Sequence, residues 1–71
     1  MIAQLAHEVR RVFEKYGIEN DSLTLKENLL FVQIDDLEIG FEMREAILDV
    51  LPCCLVAHPE TKEPMLQLTL Y

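Results

Sequence analysis

Apolar residues recur at helical spacing through the first sixteen positions. Ile2, Leu5, Ala6, Val9, Val12, Phe13 and Tyr16 fall at i, i+3, i+4 and i+7, while Gln4, His7, Glu8, Arg10, Arg11, Glu14 and Lys15 take the other face. The spacing predicts an amphipathic helix over 2–16. Gly17 follows where a helix ends in a left-handed residue, and Ile18 is placed to fold back on Phe13 in a Schellman stop. Arg10, Arg11 and Lys15 stand toward the C-terminal end, where positive charge suits the helix dipole.

After a turn at Glu19-Asn20-Asp21 the period changes. Ser22 to Lys26 alternates and reads as a short strand, Glu27-Asn28 as a tight connection, and Leu29 to Ile34 as a central strand, together a hairpin. Residues 36–51 admit two readings. As one helix, Asp35 is the N-cap with Glu38 at N3, Ile34 and Ile39 form a hydrophobic staple, and Pro52 ends it. Alternatively, Leu37 to Met43 alternates at period two, Asp35-Asp36 is a hairpin turn, and only 43–51 is helical. The second reading leaves the shorter helix without a capping residue, which favours the first. Cys53 to His58 reads as a strand, Pro59 to Pro64 as a polar loop, and Met65 to Tyr71 as a strand with Leu66, Leu68 and Leu70 on one side.

The order is α-β-β-α-β-β, or α-β-β-β-α-β-β. Either predicts an α+β two-layer sandwich, a mostly antiparallel four- or five-stranded sheet with two helices on one face. The expected core is Leu5, Val9, Val12, Phe13, Leu30, Val32, Ile34, Ile47, Val50 and Leu68.

Composition narrows the function classes. The chain has 71 residues and a mass of 8.2 kDa, room for one domain over 1–71. It carries 6 Lys+Arg against 13 Asp+Glu, a formal charge of −7. No clustered Lys/Arg is present to neutralise phosphates, so direct nucleic-acid binding is not expected. No run approaches about 18 apolar residues without a charge, so no membrane span is expected. The start shows no basic segment followed by an apolar core, and two cysteines make no disulfide scaffold, which points to a reducing, cytoplasmic setting. Apolar residues make up 51% of the chain, more than so small a domain hides easily. A partner protein or a second copy, as in a homodimer, is the natural cover for the surplus.

Charge and apolar residues suggest two binding surfaces. Residues 35–49 hold six acids and a single base, Arg44, for a sum of −5. On a helix Glu38, Glu42, Glu45 and Asp49 form a row within roughly 60° of arc at about 100° per residue. Such a row suits docking on a basic protein, or imitation of a line of phosphates by an inhibitor. Leu66, Leu68 and Leu70 on the last strand, and Leu23 and Leu25 on the first, are candidate apolar sheet edges for pairing with a second copy. Catalytic chemistry finds little support. Cys53 and Cys54 point to opposite faces of a strand and cannot share one metal, and Cys54 and His58 stand roughly 13 Å apart along it. His7 lies on the polar helix face, and Gly17 and Gly40 form no phosphate loop. No cofactor or metal is expected, and the reading is a non-enzymatic protein-interaction module.

The stretch Ser22-Leu-Thr-Leu-Lys-Glu-Asn-Leu-Leu-Phe-Val-Gln-Ile-Asp-Asp-Leu-Glu-Ile-Gly-Phe-Glu42, following an amphipathic helix, resembles the small type III secretion chaperones. The resemblance implies an acidic, cofactor-free homodimer that holds an extended segment of a partner chain against apolar surface. It also implies that 37–42 is a third strand. It rests on pattern and charge, and it carries over no functional residue.

Overall fold

Residues 5–70 are described by the structure, a computed structural model of the chain. The first helix, α1 (His7–Lys15), turns Val9 and Phe13 fully inward and leaves Glu8, Arg11, Glu14 and Lys15 exposed. It begins later than the periodicity suggests. Ala6 is the N-cap in extended backbone and no side chain caps it; no Ser, Thr, Asp or Asn precedes it to start the helix earlier. Leu5 lies ahead of the helix yet is buried. Residues 1–4, with Ile2 and Gln4 of the expected helix, lie outside the described residues, as does Tyr71 of the expected last strand. The C-terminal stop has the expected form. Gly17 takes φ +69°, Ile18 N–H donates to Phe13 C=O at 2.9 Å and Gly17 N–H to Glu14 C=O at 3.2 Å.

A single 3-10 turn at Asn20–Ser22 leads into the hairpin of β1 (Leu23–Lys26) and β2 (Leu29–Gln33). Leu25 pairs with Leu30 and Leu23 with Val32, and Glu27-Asn28 closes the turn. The second helix, α2 (Leu37–Leu48), follows as one continuous element. The long-helix reading of this region holds in its central part, and the alternative strand over 37–42, which the chaperone resemblance needs, is not formed. The cap is one residue later than expected. Asp36 rather than Asp35 accepts the Glu38 N–H at 2.9 Å. The reason lies in β2: Ile34 stays in line with the sheet, its N–H donating to Pro64 C=O at 3.2 Å, so Asp35 is needed to turn the chain. The end comes early too, since Val50 and Leu51 N–H both donate to Ile47 C=O at 2.9 Å and close the last turn.

β3 (Cys53–Ala57) and β4 (Pro64–Thr69) complete a four-stranded antiparallel sheet in the order β1-β2-β4-β3. The fold is α+β with element order α-β-β-α-β-β. α2 packs over β3 and β4, and α1 packs beside α2. Leu30 and Val32 from β2, Leu66 and Leu68 from β4, and Cys53 from β3 share the helix-covered face with Val9, Phe13, Ile34, Met43, Ile47 and Leu5. Val12 and Val50 from the expected core pack against its margin. Met43, Cys53 and Leu66 belong to it as well, beyond the expected core.

The strand order corrects one expectation. β4 lies between β2 and β3, and Leu66 and Leu68 are 0% exposed. They are centre, not edge. Leu70, just past the strand, packs against the core. Leu66 and Leu68 are therefore buried in the centre of the sheet and not available to pair with a second copy, and Leu70 is partly buried. Among the described residues, the two open edges of the sheet belong to β1 and β3.

Candidate protein-binding surface

The outer side of α2 carries the unusual features of the molecule. A helix of this length over a sheet ordinarily shows one apolar stripe. α2 shows two. Gly40, Met43 and Ile47 face the core. Leu37 and Phe41 are large hydrophobics with 51% and 52% of their surface exposed, and Leu48 follows at 42%. These three fall within roughly 40° of one another at about 100° per residue, about a quarter turn from the core face. The flank they occupy looks toward β3. Leu37 lines a groove with Leu55, Ala57 and Pro64, and a Cβ on Gly40 would stand 3.2 Å from Leu55 Cδ2. Sequence reasoning gave these three apolar positions no binding role. The signal was present, because α2 holds more large apolar residues than one helix face accommodates.

All four carboxylates of the expected row are exposed, Glu38, Glu42 and Glu45 on α2 and Asp49 at its C-cap. Their arc lies between the bare apolar flank and the flank met by α1, where Tyr16 Oη donates to Glu42 Oε1 at 3.1 Å. Burial raises the Tyr16 phenol above its ordinary value, and the Glu42 hydrogen bond and charge raise it further. Glu38 sits in the first turn, where an acid is favoured, but Asp49 is the C-cap residue and the last turn contains no base. The row is thus not arranged for the comfort of the helix.

The opposite face of the sheet, which no helix among the described residues covers, presents Phe31, Met65 and Val56 among Thr24, Gln33, Cys54 and Gln67. A depression of about 390 Å³ there is floored by Phe31 and Met65 and rimmed by Lys26, Asp21 and Glu63. Gln33 Nε2 donates to Glu63 Oε2 across its margin at 3.2 Å. His58 reaches this region, but its Nδ1 accepts the N–H groups of Glu60 and Thr61 at 3.1 and 3.3 Å and so shapes its own loop.

The two thiols differ. Cys53 is buried and Cys54 exposed, and both are free. Burial pushes the Cys53 thiol up to about 11, Cys54 adding to the rise and Arg44 opposing it. Among the described residues no three His, Cys, Asp or Glu side chains gather as a metal site. No helix there is long and apolar enough to cross a membrane.

Fold and surface together define a small two-layer α+β protein with an acidic row and a bare apolar flank on one helix. Set against family models, curated proteins and solved structures, the chain matches none.

Proposed function

We propose that the protein is a non-enzymatic interaction module, adaptor- or chaperone-like, that works as a homodimer and offers the carboxylate row of α2 to a basic protein. The observation that carries this reading is the pairing on one short helix of four exposed carboxylates with three exposed large hydrophobics. Exposed apolar clusters mark contact surfaces, and a one-signed row adds speed and selectivity to the encounter. Two free thiols, with no disulfide between them, suit a reducing compartment such as the cytoplasm.

The test is partner capture with wild type and with the combined Glu42→Gln, Glu45→Gln and Asp49→Gln variant, each at low and high salt. A partner held by the row is lost from the variant and released from wild type by salt. A partner retained equally by both chains overturns the assignment of the row. The row also supports a second reading, imitation of nucleic acid. Its carboxylates step three or four residues apart, roughly 4.5–6 Å along the axis. Under that reading a DNA or RNA duplex competes with the protein for the same partner.

A further inference from the structure

The apolar flank of α2 runs beside an open strand edge. Backbone bonds at the two ends of β3 fix which of its groups face outward. Thr69 N–H donates to Pro52 C=O at 3.0 Å and His58 N–H to Glu63 C=O at 2.9 Å. Even-numbered residues of the strand therefore bond to β4. By the alternation of an antiparallel ladder, Cys53, Leu55 and Ala57 direct their N–H and C=O groups to the free edge. Natural edges are ordinarily guarded by Lys, Pro or a bulge. β3, with the sequence Cys-Cys-Leu-Val-Ala, has no charge and no proline.

The flank above this edge has an internal symmetry. Leu37, Phe41, Arg44 and Leu48 are spaced four, three and four residues apart, a coiled-coil seam that reads the same in both directions. Its midpoint falls between Glu42 and Met43. The midpoint of β3 is Leu55, and Leu55 lies under Gly40, within one turn of that point. The two centres thus lie about 4 Å apart along the helix axis. Arg44 falls within roughly 60° of the three hydrophobics at about 100° per residue, and its charge opposes the rise of the Cys53 thiol.

We propose that a second copy of this chain covers both elements at once, about a two-fold axis that passes beside Leu55 and the midpoint of α2. β3 pairs antiparallel with its copy, Leu55 opposite Leu55 and Cys53 opposite Ala57, and the two sheets become one. On the layer above, α2 packs antiparallel to its copy. Leu37 of each chain meets Leu48 of the other, and Phe41 meets Arg44, whose guanidinium is suited to stack on the ring. The groove of about 540 Å³ bounded by Leu37, Leu55, Ala57 and Pro64 receives the other chain's Leu48. An extended strand from a different protein would satisfy the β3 edge but leave the palindromic flank of α2 bare, which is why the occupant is a second copy. The arrangement rests on the homodimer part of the reading above and gives it an interface. It also brings the two carboxylate rows side by side on the outer surface, so salt tightens the dimer where it would loosen a basic partner.

Light scattering on a sizing column at low and high salt tests this. The expected mass is twice 8.2 kDa, with the dimer fraction rising with salt. Phe41→Glu and Ala57→Pro each return the mass to one chain while the far-ultraviolet circular dichroism is unchanged. Ala57 is suited to this because its N–H points away from β4, so proline there removes no bond inside the single chain. Orientation is read by oxidising a mixture of Leu37→Cys chains and Leu48→Cys chains, both also carrying Cys53→Ala and Cys54→Ser. Cross-links between the two kinds support the antiparallel seam, and cross-links only within each kind overturn it. A single-chain mass for wild type at high micromolar concentration overturns the proposal and leaves the edge to a strand of another protein. A dimer indifferent to both Phe41→Glu and Ala57→Pro overturns it as well. Neither failure touches the carboxylate row, whose own test is loss of a basic partner in the combined Gln variant.

Discussion

Two residues show how much depends on single atoms in so small a core. Gly40 is buried on α2, and an added Cβ would meet Leu55 Cδ2 at 3.2 Å and Ile34 Cγ2 at 3.3 Å. Alanine there gains about 1 kcal/mol of helix propensity and must push two side-chain methyl groups, those of Leu55 and of the buried Ile34, aside by a few tenths of an ångström. Gly40→Ala is therefore expected within about 1 kcal/mol of wild type, and Gly40→Leu is expected to lose about 1–3 kcal/mol by overpacking; urea denaturation distinguishes them. Nothing in the sequence marked Gly40, because its role is a close approach between elements that the chain order does not reveal. Cys53 is a small buried hydrophobe of the core, and its chemistry follows from its place. With its thiol raised to about 11 from an unfolded value near 9.0, the folded state favours the protonated form. The resulting stability is complete below about pH 9 and is lost as pH climbs through 11. Tyr16, also raised, acts in the same direction. The urea midpoint of wild type should fall over that range, less steeply in Cys53→Ala and least in Cys53→Ala with Tyr16→Phe. At pH 8 a thiol reagent should modify Cys54 alone until the protein is unfolded.

At the scale of elements, the difference between α1 and α2 explains which parts of the fold were readable. α1 has one apolar face, and its period and Schellman stop are unambiguous. Its start was not, since no capping side chain announces it. In α2 the sequence Leu37, Ile39, Phe41, Met43 alternates like a strand. On a helix the same residues are two i, i+4 pairs, Ile39 and Met43 turned toward the core, Leu37 and Phe41 turned outward. A doubly apolar helix and a strand leave the same trace, and only packing separates them. The cap offers a direct check. Asp36→Ala removes the acceptor for Glu38 N–H and should cost about 1 kcal/mol, or about 4–8 °C in Tm. Asp36→Asn should keep most of it, and Asp35→Ala should leave thermal unfolding unchanged. A large loss on Asp35→Ala would mean that the cap is where the sequence first suggested.

For the whole molecule, the acidic excess and the apolar excess meet on one helix. Alternation showed that Leu66 and Leu68 share a face, but not that β4 would be inserted between β2 and β3, because strand order is settled by long-range pairing. That insertion buries those leucines and transfers the unguarded edge to β3. The carboxylate row was legible only on the long-helix reading of this region; the helix at Leu37–Leu48 brings its four acids onto one exposed arc. Its energetic meaning becomes clear only in the fold. The chain carries −7 overall, the row concentrates that charge, and Asp49 adds an acid at the end of α2 where the helix dipole disfavours one. Self-repulsion of this kind destabilises a compact state and is relieved by salt. The combined Glu42→Gln, Glu45→Gln and Asp49→Gln variant should therefore be more stable than wild type by about 0.5–1 kcal/mol at low salt, with its Tm less dependent on ionic strength. The amide introduced by Glu42→Gln keeps an oxygen to accept the Tyr16 hydroxyl, so the row's hydrogen bond to α1's C-cap residue survives. Greater stability joined to loss of a basic partner would identify a surface maintained for binding against the interest of the fold. Lower stability at both salts would make the row part of the scaffold instead.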